Sequence, residues 1–140
     1  MRLLAITVLL ALAGCAHVAS TKSTFSHSAR KPLVLTIHRH VDTIVRGPDS
    51  EEDQFLVLRL HDTTIGKRIV IPSSAVQAEF AAVRFGPESR GETYQGVIVL
   101  KSIGPKEVVA ALSLNVTATT LDKSYKQTAK YRGDYTFARE

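Results

Sequence analysis

The strongest constraint on the fold is a two-residue alternation near the end of the chain. Between residues 108 and 119 every second position is apolar, and the positions between them change from small apolar to hydroxyl and amide side chains. Because successive side chains of a β-strand point to opposite faces, this period predicts a long strand with one buried face. The densely apolar residues 93–103 precede it across Gly104 and Pro105, so the two segments predict a β-hairpin.

Further β-type segments occur at short spacing along the chain. Alternating or apolar runs at 33–45, 54–61, 67–72 and 133–138 are separated by turn residues. The acidic residues 50–53 are predicted to form a solvated loop. Many short strands with turn signals predict an all-β domain, and we expect an antiparallel β-sandwich of about seven strands, of the immunoglobulin-like or Greek-key type. A closed barrel is the alternative.

Residues 73–85 fit two structures. A Ser-x-x-Gln capping box and the apolar spacing of an alanine-rich run indicate one short helix near 74–84. The same segment also alternates with a period of two, so that Val76, Ala78 and Phe80 would share one face of a strand. The β pattern on both sides favours the strand.

The N-terminal segment has the pattern of a secretory signal. Arg2 precedes an apolar run from Leu3 to Leu12. A run of about ten residues is too short to cross a bilayer core, which needs ~20, and it fits the apolar region of a signal peptide. The run ends in Leu12-Ala13-Gly14-Cys15, which resembles the lipobox of bacterial lipoproteins. An ordinary signal peptide with an incidental cysteine is the alternative.

The resemblance to lipoproteins implies a modification and an address. Residues 1–14 would be removed, and Cys15 would take a diacylglycerol on its sulfur and a further acyl group on its new amino terminus. Two or more chains anchor stably, at ~0.8 kcal/mol for each buried methylene. Ala16, in place of aspartate, implies sorting to the outer membrane. We therefore expect a lipid-anchored protein of the bacterial outer membrane that faces the periplasm, with membrane lipid as one partner.

The segment after the cysteine has no usable period. Residues 16–31 are rich in serine, threonine, alanine and basic side chains, a composition that predicts a flexible tether. The expected organisation is a cleaved signal at 1–14, a lipidated cysteine and tether at 15–31, and one β-sandwich domain at 32–140. A domain of this size buries roughly two-thirds of its extended surface, so it can fold without disulfides.

Composition narrows the classes of partner. Cys15 is the only cysteine, and its acylation would leave no thiol for a disulfide, a nucleophile or a thiolate metal site. The formal charge of +5 suits an anionic neighbour such as lipid headgroups or a cell-wall polymer. So modest a charge does not argue for nucleic acid, and we expect no such partner.

A His-x-His-x-Asp sequence is the sharpest candidate site. On a strand, a period of two brings His38, His40 and Asp42 to one face. Two imidazoles and a carboxylate are suitable ligands for zinc or copper, and His61 would supply a further ligand if its strand pairs alongside. The alternative is a polar, solvent-facing strand surface, since a His-x-His pair alone is a short motif.

A second candidate surface lies between residues 123 and 132, where cations and aromatic rings alternate. Such a surface can bind a polyanion or the face of a glycan. The alternative is a soluble loop whose tyrosine rings pack on a sheet edge. The candidate binding residues are Lys123, Tyr125, Lys126, Lys130, Tyr131 and Arg132.

Sequence motifs of catalysis are absent. There is no Gly-x-Ser-x-Gly elbow and no phosphate-binding glycine loop, and Ser28-Ala29-Arg30-Lys31 matches Ser-x-x-Lys only within the predicted tether. We therefore expect no enzyme and no cofactor other than a metal. The predicted function is a membrane-anchored, non-catalytic module that binds an unknown envelope protein or polymer, or takes part in envelope assembly. The alternative is binding or delivery of zinc or copper by the His-x-His-x-Asp strand.

Overall fold

A computed structural model describes residues 16–43, 51–84 and 88–140. The regular elements of this part of the chain are all β-strands, so the all-β prediction is confirmed, and the segment that could have been a helix forms a strand. The strands are β1 (Ala16–Ser26), β2 (Leu33–Thr43), β3 (Glu51–Leu60), β4 (Arg68–Ile71), β5 (Val76–Arg84), β6 (Glu88–Ile103), β7 (Glu107–Thr120) and β8 (Lys126–Arg139).

The strands form one sheet that closes on itself. The order around the ring is β6-β5-β3-β2-β1-β8-β7, and β7 pairs back with β6 to complete a seven-stranded barrel. The short β4 pairs with β6 beside β5, and β1 and β8 are the parallel neighbours in an otherwise antiparallel sheet. The predicted sandwich is wrong, because the long β6 pairs with both β5 and β7 and so joins what would have been two sheets.

The predicted hairpin near the end of the chain is confirmed. β6 and β7 pair from Ser89 opposite Thr120 to Ile103 opposite Val108. The apolar positions of the β7 alternation all point into the barrel and are buried. This hairpin therefore contributes one continuous wall of the core, as expected for a strand with one buried face.

β1 lies where the composition predicted a tether. It pairs with β2 from Ala16 opposite Thr43 to Ser26 opposite Val34. Near its end Phe25 is buried in the core. The predicted tether is therefore wrong for residues 16–26, and the described domain begins at Ala16 rather than at residue 32. The polar composition does not reveal this strand, because β1 has no apolar face. It is held by backbone pairing with β2 and by one buried aromatic ring.

β3 begins inside the segment that was predicted to be a solvated acidic loop. Glu51 pairs with Asp42, and Asp53 pairs with His40, in the antiparallel register of β2 and β3. Between them Glu52 points into the barrel and is only 3% exposed. The loop prediction is wrong for residues 51–53, since pairing with β2 extends the strand through them.

The barrel interior is apolar over most of its length and polar at one end. Apolar side chains of β2, β3, β6, β7 and β8 fill the main core. Towards the end where β2 finishes and β3 begins, the inward positions become Arg39 on β2 and Glu52 and Gln54 on β3, all three buried. Buried charges and amides need partners, because an unpaired buried polar group costs several kcal/mol.

Arg39 connects these groups to the opposite wall of the barrel. Its guanidinium donates to Gln54 Oε1 at 2.7 Å and to the Lys130 carbonyl on β8 at 2.8 Å. The same guanidinium lies over the Tyr131 ring, with Cζ 3.7 Å from the ring centroid. Burial raises the pKa of Tyr131 to about 12, so its ring stays neutral beneath the cation. Arg39 thus links β2 and β3 directly to β8.

Glu52 is held by amides from both sides of the barrel. Its Oε1 accepts hydrogen bonds from Gln54 on its own strand at 3.3 Å and from Gln127 on β8 at 2.9 Å. The negative charge of Glu52 and the positive charge of Arg39 are therefore joined through Gln54. One hydrogen-bonded network thus links three strands at the polar end of the barrel.

We expect Arg39→Leu to lower the free energy of unfolding by about 3–5 kcal/mol, because it removes two hydrogen bonds donated by the buried guanidinium, to Gln54 Oε1 and to the Lys130 carbonyl, and leaves these acceptors without that donor. Arg59→Leu is the matched control. Arg59 lies on the outside of β3 and pairs with Glu79 at 3.1 Å on the surface, where a salt bridge contributes about 0–1 kcal/mol. Urea unfolding of the two variants checks the difference. Equal losses would show that the buried network does not stabilise the barrel.

Candidate functional site

The outer face of the β2–β3 hairpin gathers five titratable side chains. Because side chains alternate along both strands, the residues on either side of Arg39 point outward, as do those on either side of Glu52. The register puts His40 opposite Asp53 and Asp42 opposite Glu51. Two imidazoles and three carboxylates therefore lie on one side of the sheet. They are His38, His40, Asp42, Glu51 and Asp53.

His40 is held between two carboxylates. Its Nδ1 lies 3.1 Å from Asp53 Oδ1, and its Nε2 lies 3.2 Å from Asp42 Oδ1. Asp53 Oδ1 also lies 2.9 Å from Nε2 of His38. Asp53 therefore accepts hydrogen bonds from both histidine rings and fixes the orientation of His40. The opposite nitrogen of His40 faces Asp42.

These contacts shift the pKa values of the site in opposite directions. The hydrogen bond to Asp53, with further attraction from Asp42 and Glu51, raises the pKa of His40 above its usual value. The hydrogen bonds from His38 and His40 lower the pKa of Asp53. The raised pKa of His40 reflects the carboxylates around it, so the position near its Nε2 attracts a proton or another cation.

Three of these residues can supply ligands to one metal ion. One ligand atom each from His40, Asp42 and Glu51 lies within 4.8 Å of the other two. Ligand atoms around a tetrahedral zinc ion are about 3.3 Å apart, given bonds of about 2.0–2.1 Å. Asp42 and Glu51 are partly or fully exposed, so modest side-chain rotation can close the difference. Asp53 would accept a hydrogen bond from Nδ1 of His40, since metal-bound histidines usually donate their second ring N–H to a carboxylate.

His38 is not part of this set of ligands. Its ring stacks on Phe55, with the ring centroids 4.4 Å apart and the planes 10° from parallel. Both rings line a shallow groove of about 570 Å³ on the outer face of β1, β2, β3 and the end of β8. The stacking holds His38 towards Asp53, so it supports the carboxylate that orients His40.

His61 lies far from the other predicted ligands. It follows β3 at the opposite end from Asp53, about 26 Å further along the chain at a rise of about 3.3 Å per residue. Its backbone amide donates to the Ala75 carbonyl at 2.8 Å. It lines a small depression beside His27 and Lys31. The prediction that His61 joins His38 and His40 is therefore wrong, because residues 54–60 lie between them along β3.

The predicted basic and aromatic surface is divided by the pleat of β8. Lys123 and Tyr125 lie in the loop between β7 and β8, and Lys126 and Lys130 are exposed on the outside of β8. Tyr131 is 0% exposed and faces Arg39 in the core, so its inclusion in a surface was wrong.

Arg132 is exposed, but its hydrogen-bonding groups are engaged locally. It donates to Asn115 Oδ1 at 2.6 Å and to the carbonyls of Leu114 and Tyr131 at 2.9 Å. The exposed cations of the predicted surface therefore form two groups, one at the β7–β8 loop and one along β8.

Glu51 and Asp53 were missed by sequence reasoning. The turn residues Gly47 and Pro48 do signal a hairpin between the two segments. If β3 is extended back to Glu51, that residue pairs with Asp42, and Glu51 and Asp53 both fall on the outward face of the strand. The acidic run predicts a loop instead, because charge alone does not distinguish a loop from the outer face of a strand.

No family model, curated protein or solved structure matches this chain. Within the described residues, no helix is long and apolar enough to cross a membrane. Cys15 and the rest of the predicted signal lie outside the described residues.

Proposed function

We propose that this chain is a lipid-anchored, non-catalytic binding module of the bacterial envelope, and that its ligand is a divalent transition-metal ion. The observation that supports this most is the register of β2 and β3. It brings His40, Asp42 and Glu51 together from two strands and sets Asp53 behind the imidazole. His40 lies between two carboxylates, an arrangement that a metal-binding histidine with a supporting carboxylate would have.

The types of ligand favour zinc or copper over calcium or magnesium. Imidazole nitrogen suits zinc and copper, whereas calcium and magnesium prefer sites made of oxygen ligands. Three protein ligands leave a fourth position for water or for a receiving group. Binding would exchange the Nε2 proton of His40 for the metal ion, and the carboxylates of Asp42 and Glu51 would balance its charge.

The openness of the cluster suits reversible capture. The side chains of His40 and Asp42 are 31% and 43% exposed, on the outside of a rigid sheet. An ion bound there remains within reach of water and of a partner. A buried structural site would instead enclose its metal with four protein ligands.

The anchor is proposed from the lipobox sequence Leu12-Ala13-Gly14-Cys15, which resembles that of bacterial lipoproteins. Acylation there, with sorting to the outer membrane and a periplasmic orientation, would hold the barrel at the membrane. Because β1 begins at Ala16, the lipid would be attached one residue before the first strand. Anchoring raises the local concentration of the module at the surface that it serves, so weak contact with a partner at that surface suffices.

We expect isothermal titration of zinc into N-terminally acetylated residues 16–140 to give one site per chain. Acetylation removes the free amino group, as acylation would. Asp53→Asn should weaken zinc binding by about 10–100-fold, because the variant can no longer accept and orient the His40 N–H as a carboxylate does. His40→Ala should weaken it at least as much, since it removes the nitrogen ligand.

His61→Ala is the matched control, because it removes an exposed imidazole at the other end of the barrel and should leave zinc affinity unchanged. Circular dichroism of each variant establishes that the barrel is intact. A His40→Ala protein that binds zinc as tightly as the parent would show that the cluster is not the metal site.

We expect Cys15→Ala to abolish incorporation of labelled palmitate and retention on membranes in a bacterial host. A second variant, Cys15→Ala with Ser23→Cys, restores a thiol within β1 but not the lipobox, and it should remain unlabelled. Membranes are washed at 1 M salt, which shortens the screening length to about 3 Å and removes proteins held by charge alone. A Cys15→Ala protein that still carries palmitate would contradict the proposed anchor.

A further inference from the structure

The loop between β7 and β8 lies at the same end of the barrel as the start of β1. β8 runs parallel to β1, with Thr24 opposite Ala138, so both strands begin at one end. β7 runs antiparallel to β8 and therefore finishes there. The connecting residues 121–125 thus project from the end of the barrel at which Ala16 follows Cys15.

This loop presents apolar and cationic side chains to the outside. Leu121 is 87% exposed, the highest value among the exposed large apolar residues of the described chain, and Tyr125 is 42% exposed. Lys123 and Lys126 are exposed beside them. An isolated exposed leucine is ordinary, but leucine, tyrosine and two lysines within six residues is the combination that favours a membrane–water interface.

The loop is held in one shape by its own hydrogen bonds. The Asp122 carboxylate accepts from the Thr120 hydroxyl at 2.6 Å and from the Ser124 amide and hydroxyl at 3.0 and 2.6 Å. These bonds keep the pKa of Asp122 at about 2. The Thr120 amide also donates to the Tyr125 carbonyl at 3.0 Å. The carboxylate is therefore hydrogen-bonded within the loop, and Leu121, Lys123 and Lys126 are exposed around it.

We propose that residues 121–126 form a second membrane contact, in which Leu121 and Tyr125 enter the headgroup region of a phospholipid bilayer and Lys123 and Lys126 face its anionic phosphates. The proposal rests on the proposed acylation of Cys15, which would bring this end of the barrel to the bilayer. A bilayer is favoured over a protein partner because the acylated residue would directly precede β1. One residue spans at most about 3.6 Å, so this end of the barrel would have little freedom to turn away from the lipid.

The contact also explains how one anchor could set orientation. An acyl group at Cys15 alone fixes a point and leaves the barrel free to tilt about it. A second contact at the β7–β8 loop, which lies at the same end of the barrel, would hold the barrel axis close to the membrane normal. The outer face of β2 and β3 would then stay on the side of the barrel, close to the bilayer surface, and would not be pressed between the barrel and the bilayer.

The test uses the full lipidated protein, purified from membranes and reconstituted into vesicles of phosphatidylethanolamine and phosphatidylglycerol at 3:1. Mass spectrometry first establishes the acyl chains on Cys15, so failure of the anchor is seen separately. With Cys15 acylated, Leu121→Cys supplies the only free thiol for a nitroxide spin label. Ile65→Cys is the matched control, since Ile65 is 50% exposed in the loop after β3, at the opposite end.

We expect the label at 121 to collide more with membrane-dissolved oxygen than with a water-soluble nickel chelate, and the label at 65 to show the reverse. Equal accessibility to the chelate at both positions, on protein with acylated Cys15, would overturn the second contact while leaving the anchor intact. As an independent measurement, unlipidated residues 16–140, which contain the eight strands of the described residues, should bind phosphatidylglycerol vesicles.

Lys123→Glu and Lys126→Glu should each weaken vesicle binding by about fivefold or more, as expected for the loss of one cation at an anionic surface. Lys67→Glu at the opposite end should leave vesicle binding unchanged. Binding that is equally strong to neutral phosphatidylcholine, or that is unaffected by both loop substitutions, would contradict the proposed contact.

Discussion

The barrel depends on how the sheet closes between β1 and β8. Their backbones pair only at Thr24 with Ala138 and Phe25 with Arg139, at one end of the two strands. Towards the other end, closure is taken over by side chains, since Arg39 donates to the β8 backbone and Gln127 donates to Glu52. The barrel is therefore closed by a short backbone ladder at its apolar end and by a buried polar network at its polar end.

The same two stretches of β2 and β3 serve both the interior and the candidate site. Arg39 pairs with Gln54 inside the barrel, and the next pair in the ladder, His40 with Asp53, lies outside. A slip of one residue in this register would exchange the two faces, bringing the histidines into the core and the arginine to the surface. The buried network therefore fixes the register on which the outer cluster depends, so the geometry of the candidate metal site depends on the core.

Periodicity identified the strands that have an apolar face. The β6–β7 hairpin follows from the alternation at 108–119 because hydrophobic burial imposes that pattern directly. It did not identify β1, whose buried side chains include Phe25 and whose length is held by pairing with β2. Nor could it distinguish a barrel from a sandwich. The difference between a barrel and a sandwich depends on which edge strands pair. The pairing of β1 with β8 that closes the barrel involves two residue pairs, and so short a ladder produces no periodic pattern in the sequence.

For the candidate site, sequence supplied the outward set on one strand but not its partners. His38, His40 and Asp42 follow from a period of two, whereas Glu51 and Asp53 require the β2–β3 register. His61 illustrates the same limit. Its imidazole is a suitable metal ligand, but the sequence alone does not show that it follows the far end of β3. Ligand type can be read from sequence, but convergence of ligands is a property of strand pairing.

The proposed anchor and the proposed metal capture would reinforce each other through electrostatics. In the proposed orientation the cluster at His40, Asp42 and Glu51 lies at the membrane end of the barrel, since β2 finishes and β3 begins beside Ala16. An anionic bilayer has a surface potential of about −30 mV, which concentrates a divalent cation about tenfold at the surface relative to bulk solution. That potential decays over a Debye length of about 8 Å at physiological ionic strength. A cluster raised on a flexible tether would lose this enrichment, whereas a barrel whose first strand starts one residue after the proposed lipid would retain it. The absence of a spacer between Cys15 and β1 is thus the feature by which the anchor would increase the effective affinity of an open, weakly coordinating site.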